Sequence, residues 1–144
     1  MAFGEKNGLE FIQKPCGNVI LKKPGSKGCE DRPAVILQGH MDMVCVKAEG
    51  SQHDFAKDPV KLKVEGGFLM AEETSLGADN GIAVAMALAI LEDKSLVHPP
   101  LEVLITVAEE TGMDGAVKLN AAHLSGEALI NLDSEEEGVI LASC

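Results

Sequence analysis

Residues 78–92 read ADNGIAVAMALAILE: an acid and an amide at a loop-like start, then an unbroken apolar run from Ile82 to Leu91. That run is about half the length a bilayer span needs and long for a strand, so it is read as a buried helix over residues 81–92. Asp79 or Asn80 stands where a helix wants its N-cap. The small alanines permit close packing on a sheet. Around the run lie apolar segments at 34–38 (AVILQ), 101–107 (LEVLITV) and 128–132 (ALINL). All three read as strands, and the continuous run at 34–38 fits a strand covered on both faces.

Residues 18–21 form a further strand. Residues 60–64 alternate, Gly66 and Gly67 turn, and 68–71 return, which is a hairpin. A short helix is expected at 114–122 and a last strand begins at 138–142. Residues 9–12 have some strand character, but residues 1–14 show no clear starting element. Strand, hairpin, helix, strand, helix, strand is the order of an α/β fold with a mainly parallel sheet.

The 144 residues make one domain's worth of chain, 46% apolar, with an aliphatic core because aromatics are 3%. A formal net charge of −11 excludes the basic patch that nucleic acid needs and disfavours an anionic membrane surface. Cys16, Cys29, Cys45 and Cys144 form no C-x-x-C pair. With no secretory signal in view, reduced thiols in a cytoplasmic protein are expected, with Cys45 a buried core thiol.

Three of the strand patterns end in ligand-type residues: His40-Met41-Asp42, Glu109-Glu110 and Asp133. In open α/β sheets ligand sites gather at the carboxyl ends of strands, and Asp79, before its helix, can reach the same edge. One histidine among carboxylates suits zinc, manganese or cobalt better than magnesium. Asp42, two residues beyond His40, is placed to accept a hydrogen bond from the second ring nitrogen. Glu109 and Glu110 would face opposite sides of an extended backbone, one toward a metal and the other toward its water. Crowding Asp79, Glu110 and Asp133 without a cation is electrostatically unfavourable.

Each piece has a plainer reading. His-x-Asp can be structural, Glu-Glu a solvated pair, and Gly77 to Gly81 a mere turn and cap. Glu135, Glu136 and Glu137 read as a solvated charge run. His53, His98 and His123 read as surface or capping residues, and Met41 and Met43 as packing. A non-catalytic metal-binding or oligomerising module is the competing class. A two-metal phosphohydrolase would need Arg or Lys beside these motifs, and none stands there.

Taken together, QGHMDMV (38–44), LGADNG (76–81), TVAEETGMDG (106–115) and NLDSEE (131–136) resemble the di-zinc M20 metallopeptidases, in particular their aminoacyl-histidine dipeptidase branch, as does HDFAKDP (53–59). The resemblance covers about residues 17–144. It implies a three-layer zinc-peptidase fold and hydrolysis of Xaa-His dipeptides such as β-alanyl-histidine. It implies two zinc ions, with cobalt or manganese as substitutes, about 3.5–4 Å apart. Asp79 would bridge them, His40 and Asp133 completing one ion's protein ligands and Glu110 binding the other. Glu109 would be the general base toward the bridging water, and Asp42 would orient His40. A cis peptide is implied at Asp79–Asn80. Relatives of this kind also carry a leading helical segment, a later histidine ligand and a second, dimerising domain. Residues 1–144 are therefore read as part of a catalytic domain, with reduced activity by themselves and with copies associating through exposed apolar surface.

Overall fold

In a computed structural model, the structure describes residues 2–134 and 138–142. It contains α1 (Ala2–Asn7), β1 (Glu10–Gln13), β2 (Val19–Lys23), β3 (Val35–His40), β4 (Leu62–Glu65), β5 (Phe68–Ala71), α2 (Ala78–Glu92), β6 (Leu101–Thr106), α3 (Asp114–Val117), a 3-10 turn (Ala121–His123) and β7 (Ala128–Asn131). Five strands form one sheet in the order β1-β2-β6-β3-β7, and β4 with β5 form a separate hairpin.

The sheet is mixed. β3 pairs in parallel with both β6 and β7, whereas β2 runs antiparallel to β1 and to β6. Four of the five strands therefore point the same way, and β2 alone is reversed. The reversal follows from the tight turn between β1 and β2, where the amide of Gly17 bonds the carbonyl of Lys14.

The sheet is covered on both faces at its centre, whereas the apolar run of the edge strand β7 is exposed at every position. On one face Leu21, Leu37, Leu101, Val103 and Ile105 pack with Ala87 and Leu91 of α2, joined by Phe3 and Leu9. On the other, Ile20, Ile36 and Leu104 pack with Leu119 and Leu124. β6 is central and buried at all its positions. The apolar helix buries only one stripe, Ala83, Ala87 and Leu91, which repeats every four residues as a helix face must. Ile82 and Met86 remain exposed. A fully apolar sequence thus does not make a fully buried helix in these residues.

Several expectations are corrected. The start of the chain forms α1, which no signal announces, followed by β1 where residues 9–12 carry strand character. The helix expected at 114–122 is one turn of α-helix and a separate 3-10 turn. Asn120 breaks it by capping the second segment, its Oδ1 accepting from the Ala122 amide at 3.0 Å. Residues 138–142 form no strand, because among the described residues none offers them a ladder. Cys45 is exposed, whereas Cys16 and Cys29 are half-buried, and all three are free thiols. Cys144 and the run Glu135 to Glu137 lie outside the described residues.

One buried charge anchors the far end of β6. Glu102 is 2% exposed and stands directly across from Lys22, whose Nζ lies 2.7 Å from Oε1. Its carboxylate also accepts from the Ser125 amide, the Ser125 hydroxyl and the Gly126 amide. Burial pushes its pKa up, but Lys22 and these donors outweigh it, so the carboxyl titrates below its ordinary value of 4.5. A depressed folded pKa stabilises above the unfolded value, and that stability is lost as pH falls through the folded one. Glu102→Ala is expected to cost about 3 kcal/mol at pH 7, because one partner of a buried pair is removed. The difference from the parent chain should shrink below pH 4.5 in urea unfolding. Equal loss at pH 7 and pH 3 would show that packing, not charge, is what Glu102 supplies.

Candidate metal centre

The six acid and histidine residues singled out above meet at one edge of the sheet. His40 is the last residue of β3 and is 1% exposed. Its Nε2 lies 3.2 Å from Asp79 Oδ1, 3.8 Å from Asp133 Oδ1 and 3.9 Å from Glu109 Oε2. Potential ligand atoms of His40, Asp79 and Glu110 lie within 4.8 Å of one another, as do those of His40, Glu109 and Asp133. The partition differs from the one the resemblance implies, in which Asp79 and Asp133 share an ion with His40. The imidazole is the only member of the six able to carry positive charge, so the carboxylates gather around it.

Asp42 meets His40 differently from the expected side-chain bond. His40 Nδ1 sits 2.9 Å from the Asp42 backbone carbonyl, with Asp42 Oδ1 at 3.5 Å. The carbonyl accepts a hydrogen bond from Nδ1–H, which leaves Nε2 facing the acids, 3.2 Å from Asp79 Oδ1. The Asp42 carboxylate turns the other way, and its Oδ2 accepts from the Glu110 amide at 3.1 Å. Asp42 Oδ1 is buried without a hydrogen-bond partner. Burial would raise the Asp42 pKa, but the amides of Glu109 and Glu110 outweigh it and hold the carboxyl below its ordinary range. Burial likewise opposes a charged His40, yet Asp133 first, then the Asp42 carbonyl and carboxylate and Asp79, raise its pKa above the usual 6.5.

The backbone delivers these groups by tight turns. After β6 the chain turns sharply at Ala108, which adopts φ 55, a region costly for a residue with a Cβ. The amides of Gly112 and Met113 then bond the Glu109 carbonyl, and the Gly115 amide bonds the Val107 carbonyl. Glu109 and Glu110 therefore sit in a turn and do not alternate as they would on a strand. The buried side chain of Asn18 closes the base of this turn. It accepts from the Val107 amide and donates to the Gly115 carbonyl at 2.8 Å. A Cβ at Gly115 would come within 2.4 Å of the Val107 carbonyl oxygen, so only glycine fits there.

At the start of α2, Asp79 and Asn80 have non-helical backbone angles and the peptide between them is cis, as the resemblance implies. Neither acts as a simple N-cap. Asp79 projects toward His40 with its side chain 76% exposed. Asn80 is 3% exposed and is bonded across the site. The remaining histidines lie apart. His98 bonds the Pro99 carbonyl, His123 meets Lys14, and His53 packs edge-on against Phe55. Among the described residues none of them joins a group able to hold a metal.

The sequence profile of peptidase family M20/M25/M40 matches residues 36–140. The chain belongs to this peptidase family. The M20 chain is 46% identical over 144 residues to the cytosol non-specific dipeptidase of Escherichia coli, covering all of this chain and 30% of that protein. It is 29% identical over 135 residues to the uncharacterized protein YqjE of Bacillus subtilis, covering 91% of this chain and 33% of that one. Its fold matches the aminoacylhistidine dipeptidase of Vibrio alginolyticus with a TM-score of 0.90 at 45% identity, over 95% of this chain and 28% of that chain. The aminopeptidase PepT of Bacillus cereus matches with a TM-score of 0.73 at 25% identity, over 94% of this chain and 36% of that chain. The M20 chain thus spans about 30% of the length of the curated relatives it matches. Among the described residues, no helix is long and apolar enough to cross a membrane.

The donor set fits a transition-metal ion. A buried imidazole presents one ring nitrogen to several carboxylates while its other nitrogen is engaged by a carbonyl. That is the arrangement a metal-ligating histidine takes.

Proposed function

We propose that this chain supplies the metal-binding half of the active site of a cytoplasmic dipeptidase acting on Xaa-His dipeptides with a free amino terminus. The observation that carries this reading is the convergence of three carboxylates from three distant segments on His40 Nε2 within 4 Å. Membership of a peptidase family and the name of the Escherichia coli protein, a non-specific dipeptidase, support a dipeptide substrate, and the name of the Vibrio alginolyticus protein supports the Xaa-His preference.

In this reading His40, Asp79 and Asp133 would hold one zinc ion, and Asp79 and Glu110 would hold the other. Bound zinc supplies Lewis acidity, polarising a carbonyl and acidifying water. Glu109 takes a proton from the attacking water and returns it to the leaving amine. The Asp42 carbonyl fixes the tautomer of His40, and the Asp42 carboxylate holds the Glu110 amide, so the two ligands keep their spacing.

The test uses zinc calorimetry on the 144-residue chain and hydrolysis of β-alanyl-histidine against a dipeptide lacking histidine. Hydrolysis is measured in the chain by itself and in the chain fused to the rest of the Escherichia coli relative. The expected result is zinc binding by the chain, weak hydrolysis by the chain alone, and preferential cleavage of β-alanyl-histidine by the fusion. Equal cleavage of both dipeptides would remove the Xaa-His assignment. No zinc binding would remove the metal assignment.

A further inference from the structure

Beyond the ligands themselves, we propose that Asn80 is a positioning residue whose single buried amide sets the distance between the metal ligands of β3 and β7. This rests on the ligand assignment above. The parallel pairing of β3 with β7 ends at Gln38 and Asn131, with one further bond from the Leu132 amide to the Gln38 carbonyl. His40 and Asp133 both lie beyond that register, so ladder hydrogen bonds do not fix their separation.

Asn80 spans this gap. Its Oδ1 accepts from the His40 amide at 3.2 Å. Its Nδ2 donates to the Leu132 carbonyl and to Asp133 Oδ1, both at 3.2 Å. An amide has two N–H donors and one carbonyl oxygen, and here all three are engaged. Only this orientation matches donors to acceptors; flipping the amide would oppose like groups at every contact. The amide lies directly over Gly39, where a Cβ would approach Oδ1 to 2.4 Å and Ala83 Cβ to 2.8 Å. Gly39 is therefore the notch that lets α2 bring Asn80 between the two strands. Because Asn80 follows Asp79 in the chain, one dipeptide places a carboxylate in the site and ties down two further ligands. Aspartate at this position would keep the acceptor for the His40 amide, but would set a carboxylate against the Leu132 carbonyl and the Asp133 carboxylate.

The experiment compares zinc affinity, the visible spectrum of the cobalt-loaded chain and the metal-free melting curve in the parent chain, Asn80→Asp, Asn80→Ala, Gly39→Ala and His40→Ala. The expected result is a ten- to hundredfold loss of zinc affinity in both Asn80 variants, the range for an outer partner that orients a ligand, with altered cobalt bands. Gly39→Ala, which pushes the amide aside from the strand, should weaken zinc in the same direction. Asn80→Asp preserves volume and carries the test where the alanine variant does not fold. Parental zinc affinity and cobalt bands in the folded Asn80 and Gly39 variants, with binding lost in His40→Ala, would overturn the positioning role alone. Parental affinity in His40→Ala would overturn the ligand assignment, and this proposal with it.

Discussion

Glu109→Ala is expected to slow dipeptide hydrolysis by about 10²- to 10⁴-fold, the range for loss of a positioned general base, while leaving zinc affinity unchanged. That loss corresponds to roughly 3–5 kcal/mol of transition-state stabilisation. The second half of the prediction matters because geometry alone does not separate the roles. Glu109 Oε2 is 3.9 Å from His40 Nε2 and Asp133 Oδ1 is 3.8 Å away, with side-chain exposures of 29% and 28%. Either carboxylate could serve as a ligand. A base needs a proton to accept and no metal bond, so its removal should spare binding. A ligand's removal should not. Steady-state rates in the fusion with the Escherichia coli relative, paired with calorimetry on the 144-residue chain, distinguish the two. Zinc lost in Glu109→Ala would exchange the roles of Glu109 and one of its neighbours. Activity retained in Glu109→Ala would end its candidacy as base.

Asp79→Ala should remove binding of both ions, by more than the roughly 100-fold that loss of an outer partner costs. Glu110→Ala should remove only one of them. The asymmetry follows from the bridging role proposed for Asp79. Asp79 stands 3.2 Å from His40 Nε2 and also belongs to the group that contains Glu110. In the 144-residue chain the parent is expected to bind one ion tightly, through His40, Asp79 and Asp133, and a second weakly, through Asp79 and Glu110. Native mass spectrometry with zinc titration reads the stoichiometry directly. The Asp79 side chain is largely exposed, so the metal-free melting temperature should barely move, as for most surface substitutions. A large drop in that temperature would mean that Asp79 supports the fold. Loss of only one ion in Asp79→Ala would show that the carboxylate does not bridge.

Much of the fold is legible in the order of residues. The runs at 34–38, 101–107 and 128–132 become β3, β6 and β7 to within two residues at each end, and the apolar run of 82–91 becomes the body of α2. Burial drives β3, β6 and one stripe of α2, and it shows in a local pattern of apolar side chains; β7 carries the same pattern but is exposed. The separate hairpin of β4 and β5 is legible through its alternation and its pair of glycines, although its apolar side chains are exposed. The helix at the start of the chain is not. α1 is six residues long, and so short a helix owes its stability to packing of Phe3 on the sheet rather than to its own sequence. The reversed direction of β2 is equally silent, since strand polarity leaves no trace in periodicity.

The sequence by itself determined the candidate ligand types and their placement after apolar strands or, for Asp79, at a helix start. The fold brings His40, Asp79, Glu109, Glu110 and Asp133 into groups that could hold a metal, with Asp42 beside them. Only the tertiary structure decided how they are held. Asn18 closes the turn that carries Glu109, across 97 positions. Asn80 ties His40 to the chain at Leu132 and Asp133, across 40 and 52 positions. The Asp42 carbonyl, not its carboxylate, makes the close contact with His40 Nδ1. In sequence these asparagines resemble any turn or cap residue. Hydrophobic patterning is a property of neighbours along the chain. A buried amide acquires its partners only when distant backbone groups are brought beside it and must be satisfied away from water.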